Sequence, residues 1–211
     1  MLTVNSSLME GNSKFQAPSS KLKTGLFFGS FNPIHIGHLI IANYMANYAG
    51  LDEVWFVVSP QNPLKEKNNL SNIYDRLEMA KLATENTQNI RVSDIELHLP
   101  KPSYTIDTLT YLKERYPEKE FALIMGADNL ASFKKWKNYE VLLQNYEIYV
   151  YPRPNVDVSE WENHPSITFT TTPLMEISST FIRKAIKDKK NVQFFVPDKV
   201  LAFIESKAMY R

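Results

Sequence analysis

The sequence predicts an α/β protein with a doubly wound, mainly parallel sheet in a single domain. Short apolar segments alternate with amphipathic segments along the chain, which is typical of repeated strand–helix–strand units. Two of the apolar segments, Leu26–Phe28 and Val54–Val58, are continuously apolar, as expected for strands buried on both faces. Gly or Pro follows several of the apolar segments. Ligands in open sheets bind at such strand ends, so the same pattern predicts where a site should lie.

Composition excludes several classes of function. The 211-residue chain has a net charge of +1, so no broad electrostatic field favours nucleic acid or an anionic membrane. No apolar run approaches the roughly 20 residues of a membrane helix. The chain has no cysteine, which excludes disulfides and thiolate chemistry. We therefore expect a cytoplasmic protein that binds neither nucleic acid nor membrane.

Residues 1–23 are rich in Ser, Asn and Lys and lack the apolar core of a secretory signal. They predict a flexible N-terminal extension, followed by one domain over residues 24–211. The amphipathic helices of that domain are compatible with a homo-oligomer, because such helices bury equally well against the same chain or a partner.

Apolar periodicity predicts the individual elements of the domain. Strands are predicted over Leu26–Phe28, Glu53–Ser59, Ile90–Ser93 with an extension over Asp94–Leu97, Glu120–Gly126, Tyr146–Tyr151 and Ile167–Thr171. Helices are predicted from Ile36, over Ile73–Glu85, from a Ser103 or Thr105 cap to Arg115, over Leu130–Trp136 and Tyr139–Leu143, from a Ser178 or Ser179 cap, and from Pro197. The polar face of the second helix is expected to carry Asp75 and Arg76.

The junction between the first strand and the first helix is the strongest candidate for a site. Gly29 follows the strand and is expected to supply a positive φ and to allow a close approach. His35 and His38 then lie three residues apart at the helix N-terminus, on one side of the helix. Backbone N–H groups, the helix dipole and two imidazoles facing one point suit a polyphosphate.

Other strand ends carry weaker candidates. Lys65 lies in the loop after the second strand, where it is either a phosphate contact or a solvated surface residue. Asp128, just behind Gly126, is well placed to bind ribose hydroxyls. Trp136 is either a core residue or a flat surface on which a ring stacks.

Two helix starts are also candidate anion sites. The hydroxyls of Ser103 and Thr105 are explained equally well by helix capping and by ligand binding. The start of a later helix combines Ser178 and Ser179 with Arg183 about one turn further on, and a guanidinium in that place suits phosphate oxygens.

The run Gly29-Ser30-Phe31-Asn32-Pro33-Ile34-His35-Ile36-Gly37-His38 resembles the signature of the nucleotidylyltransferase superfamily. Asn32 stands where many members have Asp. From Thr24 onward the chain resembles one branch, the nicotinate-nucleotide adenylyltransferases. The matching segments are Asn62–Lys65, Ser103–Leu109, Gly126–Asp128, Trp136, Arg153–Pro154 and Ile177–Arg183. The terminal Val196-Pro197, with Val200 and Tyr210, also resembles the end of that family.

The resemblance implies a Rossmann-like nucleotidylyltransferase fold and transfer of AMP from ATP to nicotinate mononucleotide, giving deamido-NAD and pyrophosphate. It implies catalytic roles for His35, His38 and Arg183, with Mg²⁺ carried by the ATP phosphates and no metal site on the protein. The implied ATP contacts are Gly29, Ser30, Phe31, Gly37, His38, Gly126, Asp128, Ile177, Ser178, Ser179 and Arg183. The implied contacts to the mononucleotide are Asn62, Lys65, Tyr104, Thr105, Trp136 and Arg153.

Other substrates and a non-enzymatic role remain alternatives at this point. Within the superfamily, the alternative acceptors are nicotinamide mononucleotide, phosphopantetheine and a phospho-alcohol that takes CMP. Tyr104, Thr105 and Trp136 favour a pyridine nucleotide. A non-catalytic nucleotide sensor would be free to lose a phosphate-binding group, and the presence of both histidines and Arg183 counts against it.

Overall fold

The computed structural model describes residues 21–60 and 70–211, and within them six parallel strands form one sheet. The strands are β1 (Leu22–Gly29), β2 (Glu53–Val58), β3 (Ile90–Ser93), β4 (Lys119–Gly126), β5 (Ile148–Tyr151) and β6 (Ile167–Phe169). Their order in space is β3-β2-β1-β4-β5-β6. The chain therefore adds strands outward on one side of β1 and then crosses to the other side, which is the doubly wound arrangement predicted from the sequence.

Helices connect the strands and cover both faces of the sheet. They are α1 (Ile36–Tyr48), α2 (Ile73–Thr84), α3 (Thr105–Arg115), α4 (Ala127–Phe133), α5 (Tyr139–Asn145), α6 (Ser179–Lys187) and α7 (Asp198–Ser206). Adjacent residues of β1 show how the two layers arise, since side chains alternate between the faces of a strand. Phe27 packs in the core beneath α1 and α2, and Leu26 packs in the core beneath α3 and α4.

The strand register aligns the elements that precede the candidate site. Gly29 of β1 pairs with Val58 of β2, and Gly126 of β4 pairs with Tyr151 of β5. Because all the strands are parallel, these carboxyl ends meet at one edge of the sheet. The groups that follow the strands therefore converge there.

Several predicted boundaries change in the structure. β1 begins at Leu22, so the predicted domain boundary at residue 24 falls inside this strand. The predicted extension over Asp94–Leu97 is wrong, because Ile95–Leu97 forms a 3₁₀ helix in which Leu97 N–H donates to the Asp94 carbonyl at 2.8 Å. The flexible extension predicted over residues 1–23 lies, up to residue 20, outside the described residues.

The two predicted helix caps have different outcomes. Ser178 caps α6, since its hydroxyl accepts from the Phe181 N–H at 3.2 Å. The predicted cap of α3 is wrong, because Tyr104 occupies the cap position and makes no side-chain capping bond. The Ser103 hydroxyl is buried and has no hydrogen-bond partner among the described residues, so it caps no helix there. Across residues 21–60 and 70–211, no helix combines the length and the apolar character needed to cross a membrane.

Candidate active site

A cavity of about 840 Å³ opens at the carboxyl edge of the sheet. It brings together groups that follow β1, β4 and β5 and groups at the starts of α3 and α6. The predicted site residues that line it are Gly29, Ser30, Phe31, His35, His38, Tyr104, Thr105, Asp128, Trp136, Arg153, Ile177, Ser178, Ser179 and Arg183. Gly37 and Gly126 are not among the lining residues, and Asn62 and Lys65 lie outside the described residues.

The turn after β1 has a left-handed residue, but at Phe31 rather than at the predicted Gly29. Gly29 belongs to the strand, and Phe31 has a φ of 44°. The Phe31 ring is 2% exposed and packs edge-on against Phe56. A Cβ on Gly29 would lie 2.7 Å from this ring. Gly29 is therefore needed to make room for Phe31, whose buried ring holds the turn in its unusual conformation.

His35 and His38 are brought together at the start of α1. His35 is the N-cap residue, and its backbone N–H donates to His38 Nδ1 at 3.2 Å. The two rings stack with their centroids 3.6 Å apart. Gly37 makes this possible, since a Cβ there would lie 3.1 Å from His35 Nδ1. Because His38 Nδ1 accepts a hydrogen bond, its Nε2 carries the proton of the neutral ring.

Both imidazoles are neutral at pH 7 in the ligand-free protein. Burial, and to a smaller extent the Arg153 cation, lower the pKa of His35 to about 4. Burial, the neighbouring His35 and then Arg153 hold the pKa of His38 well below its usual value. Desolvation disfavours the charged ring, and two stacked rings cannot both be charged without repulsion. Without a bound anion, both histidines are therefore neutral hydrogen-bond donors.

The start of α6 lies directly against the turn after β1. Ser179 Oγ donates to the Pro33 carbonyl at 2.9 Å, and Arg183 Nη1 donates to the Asn32 carbonyl at 2.8 Å. Arg183 Nη2 also donates to Thr180 Oγ1 at 3.2 Å. These bonds hold the guanidinium, in the second turn of α6, against the turn that leads into the histidine pair, and both line the same cavity. Such an arrangement of a cation, N–H groups and hydroxyls suits phosphate oxygens.

The opposite end of the cavity is aromatic and carries unsatisfied donors. The Trp136 Nε1–H group and the Ser103 hydroxyl are buried and have no hydrogen-bond partner in the described part of the chain. Tyr104 lies beneath Lys137, whose Nζ is 4.8 Å from the centre of the Tyr104 ring. Buried donors without partners cost free energy, and a polar ligand in the cavity would satisfy these two.

Comparison with known proteins agrees with this geometry. A model of the cytidylyltransferase-like family matches residues 26–185. A Flavobacterium psychrophilum protein named "probable nicotinate-nucleotide adenylyltransferase" is 54% identical over 192 residues, which cover 90% of this chain and 100% of that protein. A protein of the same name from Flavobacterium johnsoniae is 53% identical over 192 residues, with the same coverage. This chain belongs to the nicotinate-nucleotide adenylyltransferase family.

The fold of this family member also matches a solved structure at low identity. The Plasmodium falciparum nicotinic acid mononucleotide adenylyltransferase complexed with NaAD has a TM-score of 0.75 and 20% identity, and the match covers 90% of this chain and 97% of that one. At this identity the match shows the fold alone. The resemblance drawn from the sequence and the Rossmann-like nucleotidylyltransferase fold are both confirmed.

Asp128 and Arg153 form an ion pair at the histidine side of the cavity. The Arg153 Nε atom lies 3.5 Å from Asp128 Oδ1, and the guanidinium lies over the Tyr151 ring. A Cβ on Gly126 would lie 2.3 Å from Asp128 Oδ1, so the glycine makes room for the carboxylate. Arg153 also acts on the pKa of both histidines. The structure thus places it beside the histidine pair, whereas its expected contact to the mononucleotide stays a prediction.

The prediction that Arg76 lies on the polar face of α2 is wrong. Its side chain is 1% exposed, although Asp75 next to it remains partly exposed and bonds Lys207. The spacing contained a signal for this, because position 76 lies three residues after Ile73 and four before Ala80, on the apolar stripe of the helix. An arginine on such a stripe must find buried acceptors.

Glu96 is a residue of the cavity lining that the sequence reasoning missed. It is 3% exposed, lies in the 3₁₀ helix, and its Oε1 accepts from Thr108 Oγ1 at 3.0 Å. Burial raises the pKa of this carboxyl, against the opposing effect of hydrogen bonds from Ser59 and Thr108. The alternation around it resembled a strand, so no signal in the sequence indicated that Glu96 faces the cavity.

Proposed function

We propose that this chain transfers AMP from ATP to the phosphate of nicotinate mononucleotide, giving deamido-NAD and pyrophosphate. One observation carries the proposal: the two ends of a single cavity have different chemistry. Donors and a guanidinium surround the turn after β1, and an aromatic end with unsatisfied donors lies opposite. ATP suits the first end and a pyridine nucleotide suits the second, so their phosphates would meet between the two.

The transfer needs positioning and charge stabilisation more than a protein nucleophile. A phosphate oxygen of the mononucleotide attacks the α-phosphorus and forms the new P–O bond, while the bond from the α-phosphorus to the bridging oxygen breaks and pyrophosphate leaves. We assign His38 Nε2–H as a donor to the transferring phosphoryl group. We assign Arg183 and the N–H groups at the start of α6 to the leaving phosphates.

The neutral state of the histidines fits this role. A neutral imidazole donates one hydrogen bond from Nε2, and the developing negative charge strengthens that bond. Bound polyphosphate would also raise the pKa of both rings, because a nearby anion favours the imidazolium. The histidine pair is therefore neutral without substrate and becomes easier to protonate when a polyphosphate binds.

The residues at the phosphate end do not fit a Mg²⁺ ion held by the protein. Mg²⁺ prefers carboxylate and water oxygens, and the groups there are imidazole, hydroxyl and guanidinium, with Asp128 already paired to Arg153. Within residues 21–60 and 70–211, no three His, Asp or Glu side chains form a cluster suited to a metal. We therefore expect Mg²⁺ to arrive bound to the phosphates of ATP.

At the acceptor end we assign Trp136 to stacking on the nicotinate ring. Its unsatisfied Nε1–H and the Ser103 hydroxyl are donors for the carboxylate or for the ribose of the mononucleotide. Thr105 and the free backbone N–H groups at the start of α3 provide further donors. A cytoplasmic location, and the absence of nucleic-acid and membrane partners, stay predictions from composition.

The test is release of pyrophosphate from ATP with a panel of acceptors: nicotinate mononucleotide, nicotinamide mononucleotide and phosphopantetheine. We expect the highest kcat/KM with nicotinate mononucleotide and formation of deamido-NAD in equal amount to pyrophosphate. A preference for phosphopantetheine, or no adenylyl transfer to any acceptor by folded protein, would overturn the proposal.

A further inference from the structure

The buried side chain of Arg76 connects four backbone carbonyls near the cavity. Its Nη1 donates to the carbonyls of Ser30 at 2.6 Å and Ser59 at 2.8 Å. Its Nη2 donates to Pro60 at 3.0 Å, and its Nε donates to Ser71 at 3.1 Å. One guanidinium on α2 thus holds the turn after β1, the two residues that follow β2, and Ser71, which lies two residues before α2. Only arginine presents this many donors in a fixed planar fork.

A second set of bonds holds the same turn from the other end of the chain. Asn32 is 2% exposed, and its Oδ1 accepts from the Tyr210 hydroxyl at 2.9 Å and from the Ser71 N–H at 3.3 Å. The Asn32 carbonyl accepts from Arg183. Ser71 is therefore shared, since it accepts from Arg76 through its carbonyl and donates to Asn32 through its N–H.

The groups held in this way are the groups that shape the phosphate end. Ser30, Asn32 and Ser59 line the cavity themselves. Arg183, which the proposal assigns to the leaving phosphates, takes its position from the Asn32 carbonyl. A displacement of the Ser30–Pro33 turn would therefore move the guanidinium relative to the histidine pair. Errors of about 1 Å in such positions cost up to about 10²-fold in rate.

We propose that Arg76 and Tyr210 are positioning residues for adenylyl transfer. They touch no substrate, and they act by holding Ser30 and Asn32 so that Arg183 and the histidine pair face the same phosphates. The inference rests on the proposed function for its kinetic readout. Both residues lie far from the signature run in sequence. The family resemblance includes Tyr210 at the end of the chain, but it implies no site role for Tyr210 or for Arg76.

The test compares Arg76→Lys and Tyr210→Phe with matched controls. Arg76→Lys keeps the charge but removes the planar fork, and Tyr210→Phe removes one hydroxyl. Arg91→Lys is the control for the first, because Arg91 is exposed and pairs with Glu53. Tyr149→Phe is the control for the second, because the Tyr149 hydroxyl also donates to a side-chain oxygen at 2.9 Å, that of Glu147.

For each variant we would measure the melting temperature, kcat, both KM values and the affinity for a non-hydrolysable ATP analogue by calorimetry. We expect Tyr210→Phe to lower kcat about three- to tenfold, the cost of one lost hydrogen bond. We expect Arg76→Lys to lower kcat and the analogue affinity by about tenfold or more. The two control variants should keep the wild-type kcat and the wild-type affinity for the ATP analogue, even where their melting temperatures equal those of Arg76→Lys and Tyr210→Phe.

The outcomes separate the inference from the proposed function. Suppose that the wild type transfers AMP and that folded Tyr210→Phe and Arg76→Lys both keep its kcat and its affinity for the ATP analogue. This result would overturn the inference and leave the proposed function intact. If Arg76→Lys fails to fold, Tyr210→Phe decides. Losses equal to those of Tyr149→Phe at equal melting temperature would show that the bonds only stabilise the fold, and would also overturn it. A wild type without transfer activity overturns the proposed function, and the analogue affinities then still decide the inference.

Discussion

The imidazole rings of His35 and His38 stack with their planes inclined by 26° and their centroids 3.6 Å apart. The backbone N–H of His35 donates to His38 Nδ1, so a hydrogen bond and ring contact both fix the second ring against the first. This leaves His38 Nε2–H as the donor that faces a ligand. The first two predictions below follow from this pair.

His38→Ala should lower kcat far more than it weakens binding of the mononucleotide. Loss of one preorganised donor to a developing charge costs about 2.7–4 kcal/mol of barrier, or roughly 10²- to 10³-fold in kcat. Steady-state release of pyrophosphate measures this. His98→Ala is the matched control, because His98 is exposed and lies 3.5 Å from Asp94 on its own segment. A His38→Ala variant within threefold of wild-type kcat would contradict the role.

The stability of the ligand-free protein should fall between pH 7 and pH 5 because of His35. The pKa of His35 is about 4 when folded and about 6.5 when unfolded, so the unfolded chain binds the proton first as the pH falls. The contribution of neutral His35 to the free energy of unfolding is fully present above pH 6.5 and is lost as the pH falls to 4. Linkage gives about 2 kcal/mol less free energy of unfolding at pH 5 than at pH 7 from this one group.

Urea unfolding at pH 7, 6 and 5 measures that pH dependence. His35→Gln removes this group and keeps the other titrating side chains, which include Glu96 with its raised pKa and His38, whose pKa His35 helps to lower. The variant should lose less free energy of unfolding over this range than the wild type. Equal slopes for the two proteins would show that His35 is not buried in its neutral form.

Trp136→Ala should raise the KM for nicotinate mononucleotide and leave the KM for ATP nearly unchanged. An aromatic pair contributes about 0.5–1.5 kcal/mol beyond its buried area, so the rise should be about three- to tenfold or more. Trp136→Phe keeps a ring but loses the N–H donor, so its KM for nicotinate mononucleotide should lie between those of the wild type and Trp136→Ala. Trp161→Phe is the control, because Trp161 packs on Phe133 in the same core. An unchanged KM in Trp136→Ala would rule out the stacking.

Gly29→Ala should damage both stability and turnover. Its Cβ would lie 2.7 Å from the Phe31 ring, and that ring is too deeply buried to move freely. Overpacking of this kind typically costs about 1–3 kcal/mol. Gly50→Ala is the control, because Gly50 has a φ of 81° and open space around it, so it adds backbone strain without a contact. Thermal unfolding and kcat should distinguish the two variants. Gly29→Ala should lose both stability and kcat, whereas Gly50→Ala should lose stability only.

Much of the fold could be predicted because its determinants are local. Continuous apolar runs identified the buried strands, and helical spacing identified α1, α2 and α7. The cap at Ser178 was also visible, since a hydroxyl before an apolar periodic segment satisfies free N–H groups in its own turn. The expected cap of α3 failed because the Ser103 hydroxyl is buried by packing, which outweighs a local preference.

The candidate site could be predicted only in part. His35, His38 and Arg183 each lie in a recognisable local pattern, and the structure brings them to one edge of the sheet. Arg76 and Glu96 were missed because charged side chains are usually exposed, and burial depends on which acceptors or donors the rest of the chain supplies. The place of Arg153 beside the histidines depends in the same way on the alignment of β4 with β5.

The sequence by itself determined the order of strands and helices, the family, and the presence of the groups that phosphate requires. Tertiary structure alone decided which of these groups meet. Tyr210 reaches Asn32 from 178 residues away, and Arg76 reaches Ser30 from 46 residues away. The physical reason is that periodicity and capping act within a few residues, whereas a hydrogen bond between distant segments forms only once packing has set their separation and excluded water.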